Sequence, residues 1–225
     1  MIPLRDDNPV RSTPVVNIGI IALCVLVFIW QWTLSPYEGQ VAVYQYGFLP
    51  GALFGHVRVE GAVVAPALTI FSSMFLHGGV LHLLGNMLYL WIFGDNIEDR
   101  LGRVRYLAFY LICGVVAALA QALPDMDSQI PMIGASGAIS GVLGAYLVLY
   151  PRANVLVALP IFIVFYTFRV PALLVLGFWF LGQLMSTLAA SGEGGIAFGA
   201  HVGGFLAGLV LIRLFLRERR SPRYQ

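Results

Sequence analysis

Apolar residues in this chain fall into long uncharged blocks, separated by short segments that collect the charges and prolines. The first block, residues 15–34, runs twenty residues without a charge. It is too long for a signal-peptide core and no small-x-small cleavage signal follows it, so it predicts a retained membrane helix. Residues 35–75 are mixed, with Pro36, Glu38, Pro50, His56, Arg58, Glu60 and Pro66 among apolar positions, and predict a long half-hydrophobic loop at the membrane interface. Further spans are predicted over 76–94 and 104–123, divided by the charged stretch Asp95 to Arg100, and over 135–150, ended by Tyr150-Pro151-Arg152. Residues 154–171 are apolar but broken by Pro160 and Arg169, and predict a re-entrant or interfacial stretch. The last spans cover 172–190 and 196–216. The pattern predicts an all-α, six-span helix bundle. A tail over 1–14 precedes a single membrane domain over 15–216, and a basic tail covers 217–225.

Composition agrees with that pattern. The 225 residues are 59% hydrophobic and 11% charged, with a mean hydropathy of +0.85, against roughly 25% charged residues in an ordinary soluble domain. This excludes a disordered chain, a nucleic-acid binder working through a basic face, and a globular cytosolic enzyme. All thirteen basic residues are arginine. With the N-terminus inside, twelve of them are cytoplasmic and only Arg58 is outside, which predicts an N-in, C-in topology. Cys24 and Cys113 sit in apolar runs and read as buried small hydrophobes.

Polar groups inside a span are costly, so the few present are functional candidates. Leaving helix ends aside, those singled out are His82 and Asn86 in the second span, Ser136 and Ser140 in the fourth and His201 in the sixth, with His77 just above the second. Ser136 lies sixteen residues before Arg152, His201 twelve before Arg213, and His82 thirteen before Asp95. At about 1.5 Å per residue all three stand roughly 18 to 24 Å above the inner boundary, in the outer half of the bilayer. Taken singly, a membrane serine usually bonds its own backbone and a lone histidine is usually a packing residue. Three parallel helices bringing such groups to one depth change that balance.

Ser136 stands in Gly134-Ala135-Ser136-Gly137, where flanking glycines permit a sharp loop-to-helix turn and the helix N-terminus directs free N–H groups toward a developing anion. Gly137, Gly141 and Ala145 form a small-residue row below it, and Ala200, Gly204 and Gly208 form another beside His201. Two such rows let helix backbones approach closely, which would bring Ser136 within hydrogen-bonding reach of His201. A plain packing motif accounts for the glycines equally well. His82 and Asn86 are i and i+4, share one helix face, and are uncharged donors suited to an oxyanion. As metal ligands they are poor, with no third histidine, carboxylate or cysteine pair near, so no metal is expected. No aspartate or glutamate lies within a predicted span, which leaves a two-residue Ser/His site and removes an aspartyl mechanism.

The segments His77-Gly-Gly-Val-Leu-His82-Leu-Leu-Gly-Asn86, Ile97-Glu98-Asp99-Arg100-Leu101-Gly102, Gly134-Ala135-Ser136-Gly137 and Gly199-Ala200-His201-Val-Gly-Gly204-x3-Gly208 together resemble the rhomboid family of intramembrane serine proteases, in its bacterial, six-span form. The resemblance implies that Ser136 is the nucleophile and His201 the general base. His82, Asn86 and the Ser136 backbone N–H would form the oxyanion hole, with His77, Gly134 and Gly137 supporting. It implies a membrane-embedded first loop and a mobile fifth span with Trp179 and Phe180 as wall residues. The implied activity is a cofactor-free serine endopeptidase cutting transmembrane protein substrates in or near their helices, in a bacterial inner membrane, with lipid but no nucleic acid as partner. A non-proteolytic relative that binds other helices is the alternative. Two positions depart from the family. Ala67-Leu68-Thr69-Ile70 stands where some members carry Trp-Arg, so the loop must be anchored differently. Ser140 stands where some carry a tyrosine beneath the histidine, which leaves a water or the Ser140 hydroxyl to orient His201.

Overall fold

A computed structural model describes residues 1–189 and 198–216 of the chain. The predicted basic tail 217–225 and the ends of the last two spans at 190 and 196–197 lie outside the described residues.

Helix α1 covers Val15–Thr33. Its N-terminus has no side-chain cap of its own. Instead the carboxylate of Glu98 accepts the Val16 and Asn17 backbone N–H groups at 3.0 and 2.7 Å, placing a negative charge where the helix dipole favours one. The loop that follows folds into short helices, α2 (Pro36–Tyr46), α3 (Pro50–Leu53) and α4 (Pro66–Ser72), each with a proline in its first turn. A 3₁₀ turn over Ser73–Phe75 and a bend of 84° lead into α5 (Val80–Leu101). The second span therefore begins later than the hydropathy suggests and runs on past Asp95. Asp95, Glu98 and Asp99 occupy its last turns rather than a loop. Gly102, at φ +79, turns the chain directly into α6 (Arg103–Ala122).

Helix α7 (Ser136–Leu149) is the centre of the bundle, packed against α5, α6, α8 (Ala172–Ala189) and α9 (Phe198–Phe215). Its residues from Ala138 through Tyr146 are all buried, as an all-round apolar helix requires. Among the described residues three helices are long and apolar enough to cross a membrane (Val15–Thr33, Arg103–Ala122 and Phe198–Phe215), and the bent pair Pro66–Phe75 and Val80–Leu101, counted as one span, makes a fourth. Ser136–Leu149 and Ala172–Leu188 are apolar but shorter. The chain is thus mostly helical with several candidate spans.

The all-α expectation is corrected at one end of the bundle. Residues of the N-terminal tail form β1 (Ile2–Asp6), and the interfacial stretch forms a hairpin of β2 (Asn154–Ile161) and β3 (Val164–Pro171), giving an antiparallel sheet in the order β1-β2-β3. A run rich in β-branched and aromatic residues from Val155 to Phe168 favours the pleated conformation over a helix. Val155 and Val157 are buried against the bundle, whereas Phe162 and Ile163 at the turn are exposed.

Buried polar contacts tie this end together. The Asn17 side chain donates to the Leu90 carbonyl and accepts from the Tyr106 hydroxyl, joining α1, α5 and α6. Asp6 of β1 accepts from Tyr146 of α7 and from Asn96 of α5.

Candidate active site

The opposite ends of α5, α7 and α9 bring together the polar residues singled out in the sequence. Ser136 is the first residue of α7, so its backbone N–H has no intrahelical acceptor. The turn before it depends on Gly134, whose φ of +122 favours glycine and whose N–H donates to the Ser73 carbonyl at 2.8 Å. That segment is held from the first loop: Phe48 and Met132 exchange backbone hydrogen bonds at 2.9 and 2.8 Å, and Phe48 is fully buried. Gly51 further donates to the Ser128 carbonyl at 2.9 Å. These contacts anchor the loop in a chain that lacks a Trp-Arg pair there, and they make the loop a buttress of the Ser136 turn.

Helices α7 and α9 meet backbone to backbone. A Cβ on Gly204 would overlap the Gly137 carbonyl, and one on Gly208 would overlap the Gly141 carbonyl. Gly137 itself faces Ala117 and Ala200. Cys113 packs against Gly141, and both Cys24 and Cys113 are free and buried. This close approach sets His201 Nε2 2.7 Å from Ser136 Oγ. Both side chains are half-buried. The Gln121 side chain of α6 accepts the Ala200 N–H at 3.1 Å and so caps the start of α9 next to the histidine.

His82 and Asn86 stand on α5 beneath the Gly134 turn. A Cβ built on Gly134 would lie 2.8 Å from His82 Nε2 and 3.8 Å from Asn86 Nδ2. The Gly78 N–H donates to His82 Nδ1 at 3.3 Å. His82 thereby carries its hydrogen on Nε2, the nitrogen that faces the turn. Asn86 is buried, and its Nδ2 is a donor without a protein acceptor. Two donors therefore stand against the turn that leads into Ser136 and the head of its helix, an arrangement able to hold an oxygen anion formed at Ser136.

His77 lies just behind. Its ring meets that of His82 edge-on at 5.1 Å, its Nδ1 donates to the Phe75 carbonyl at 3.2 Å, and its Nε2 has no partner. The Gln31 side chain of α1 clamps the His77 backbone, accepting its N–H at 3.0 Å and donating to its carbonyl at 3.3 Å.

Ser140 does not reach His201, because its hydroxyl donates to the Ser136 carbonyl at 2.6 Å. The group at the far side of the imidazole is Gln183 of α8, whose Oε1 stands 2.6 Å from His201 Nδ1. Trp179, one turn earlier, has its ring centroid 6.0 Å from that of His201, and Phe180 stacks on Phe205 at 4.6 Å. Sequence reasoning missed Gln183, as it missed Gln31 and Gln121. The available signal was an uncharged polar residue in an otherwise apolar span, the same criterion that picked out Asn86.

Comparison with known proteins finds one family model and several relatives. A family model described as the rhomboid domain matches residues 65–218. RHOMBOID-like protein 5 of Arabidopsis thaliana is 41% identical over 78 residues, covering 35% of this chain and 25% of that protein. Rhomboid protein 1, mitochondrial, of Saccharomyces cerevisiae is 30% identical over 181 residues, 76% of this chain and 49% of the relative. Rhomboid protease GluP of Bacillus subtilis is 40% identical over 78 residues, 35% of this chain and 15% of the relative. The chain spans half or less of the length of these curated relatives.

Proposed function

The chain belongs to the rhomboid family and is an integral, multi-pass membrane protein; from that premise we propose that it is an intramembrane serine endopeptidase acting through Ser136 and His201. The observation that carries this reading is the 2.7 Å contact between Ser136 Oγ and His201 Nε2 beside the unpaired donor of Asn86. The rhomboid domain occupies a bundle of six spans within 15–216, with both termini on the cytoplasmic side of a bacterial inner membrane and the dyad opening toward the outer face. The arginine count supports that orientation.

In this mechanism His201 Nε2 takes the hydroxyl proton as Ser136 Oγ attacks the carbonyl of a scissile peptide in or beside a substrate's transmembrane helix. His82 Nε2–H, Asn86 Nδ2–H and the Ser136 N–H donate to the oxyanion. His201 returns the proton to the departing amine, leaving an ester on Ser136. Water then attacks the ester while His201 accepts its proton, and collapse of the second oxyanion releases a carboxylic acid and restores the hydroxyl. A substrate helix must unwind before its carbonyl reaches Oγ, so helix-breaking residues near the outer boundary are expected in targets.

The test uses protein in lipid vesicles with a single-span substrate and a fluorophosphonate probe. Cleavage and probe attachment at Ser136 are expected, and both should vanish in Ser136→Ala and His201→Ala while the variants stay folded. Cleavage retained by Ser136→Ala would overturn the dyad. A folded protein that neither labels nor cleaves yet binds the helix would be a non-proteolytic relative.

A further inference from the structure

We propose that Gln183 is the positioning residue of this site, its amide carbonyl holding His201 in the tautomer whose Nε2 can take the serine proton; the inference rests on the proteolytic reading above. A neutral imidazole carries one hydrogen, on either nitrogen, and only the nitrogen without it can act as a base. A carbonyl oxygen can only accept. Its position 2.6 Å from His201 Nδ1 requires the hydrogen to be there, which leaves the Nε2 lone pair pointing at Ser136 Oγ, 2.7 Å away. With the amide turned the other way, its NH₂ group would donate to Nδ1, drive the hydrogen onto Nε2 and silence the base.

The same contact serves the charged state. When His201 takes the serine proton, Nδ1–H goes on donating to the carbonyl, whose dipole opposes the new positive charge. A carboxylate would do this more strongly, but an ionised side chain at this depth in the bilayer is costly. Among the described residues neither α8 nor α9 contains an aspartate or glutamate. A glutamine supplies the acceptor without the charge.

The rest of the imidazole surroundings hold the ring rather than its proton. Trp179 lies on the same face of α8 one turn from Gln183, inclined 37° to the His201 ring, and Phe198 meets the ring edge-on at 6.4 Å. Ser140, one turn below Ser136 on α7, points its hydroxyl at the Ser136 carbonyl, and the partner found at His201 Nδ1 is Gln183. The proton on His201 is thereby controlled from α8, a helix that carries neither member of the dyad.

The experiment compares the wild-type protein with Gln183→Met, which keeps the length of the side chain and removes the acceptor, and with Gln183→Glu, which keeps the acceptor. In vesicles, ¹⁵N signals of the His201 ring, identified by their loss in His201→Ala, report which nitrogen bears the hydrogen; kcat and KM are measured on the single-span substrate. The wild type should show hydrogen on Nδ1. Gln183→Met should show mixed tautomers and a kcat lower by roughly 10²-fold with KM within about twofold, a smaller loss than follows from removing a triad carboxylate because no charge is involved. Gln183→Glu should keep the hydrogen on Nδ1 and recover most of kcat. Hydrogen on Nε2 in the wild type, or wild-type kcat and an unchanged nitrogen pattern in Gln183→Met, would overturn the proposal. Should Gln183→Met fail to fold, the wild-type spectrum and Gln183→Glu decide the matter. A wild-type protein that never cleaves or labels defeats the proteolytic reading alone, since the nitrogen signals still judge the position of the hydrogen.

Discussion

Gly208 of α9 lies directly against the backbone of Gly141 on α7, with no room between them for a methyl group. The register of that contact, repeated one turn higher between Gly204 and Gly137, sets the distance between Ser136 and His201. Neither glycine has a positive φ, so the requirement is for space alone. Gly208→Ala should therefore force the helices apart, costing about 2 kcal/mol as overpacking does. Probe labelling of Ser136 should fall with it, even below the unfolding temperature. Thermal unfolding in detergent and the labelling rate test the two effects separately, and wild-type labelling in Gly208→Ala would show that the dyad does not depend on this contact.

The legible and illegible parts of this protein separate along physical lines. Helices α1, α6, α7, α8 and α9, wherever they are described, begin and end within a residue or two of the apolar runs read from the sequence, because a long uncharged run that leaves water satisfies its backbone most readily as a helix. Ser136, His201, His82 and Asn86 stand out for the same reason, being polar where polarity is costly. The β2-β3 hairpin was not legible, because a buried strand and a buried helix present the same continuous apolar run and only its β-branched and aromatic content tells them apart. The entry into α5 was missed because Leu76 continues the apolar pattern across a bend of 84°. Gln183 is an uncharged polar residue in an apolar span, but its relation to His201 lies in the packing of α8 on α9, which spacing along one chain segment does not encode.

Asn86 should matter more to turnover than to binding. Its Nδ2 has no acceptor in the resting protein, and an interaction made only with the developing oxyanion lowers the barrier without tightening the ground state. Asn86→Ala is expected to reduce kcat by about 10²-fold or more with KM little changed, the usual scale for losing one oxyanion donor. Steady-state kinetics on the single-span substrate check this, and a rise in KM at constant kcat would assign Asn86 to substrate binding instead.

Asp6 makes the sheet end of the protein sensitive to pH. Burial pushes its carboxyl up to about 6, with the nearby charges of Asp95 and Asp7 acting in the same direction and the hydrogen bond from Tyr146 opposing them. In the unfolded chain it ionises near pH 4. Between those values the folded protein binds more protons than the unfolded one, so stability falls as pH rises through the window and levels off above it. Asp6→Asn, which keeps an oxygen for Tyr146, should flatten that slope. Unfolding temperatures measured from about pH 4 to 7 should diverge between wild type and variant across this range, and parallel curves would mean that Asp6 ionises normally in the folded state.

Glu98 gives the most direct test of how α1 is held. Its carboxylate, buried at the end of α5, receives two backbone N–H groups from the first turn of α1. Hydrogen bonds to a charged group contribute about 1.5 to 3 kcal/mol each, and Glu98→Ala would also leave the buried Asn17 N–H and the part-buried Val16 N–H without partners, so a loss of about 3 kcal/mol or more is expected. Glu98→Gln keeps the shape and one oxygen acceptor and should lose less. The damage should be local to α1 at first. Cys24 on α1 and Cys113 on α6 are both inaccessible in the native fold, so a membrane-permeant thiol reagent distinguishes partial from global opening. In Glu98→Ala, Cys24 should become reactive at temperatures where Cys113 stays protected and Ser136 still labels with the probe. Simultaneous exposure of both cysteines would mean that α1 does not detach on its own and that the carboxylate stabilises the bundle as one unit.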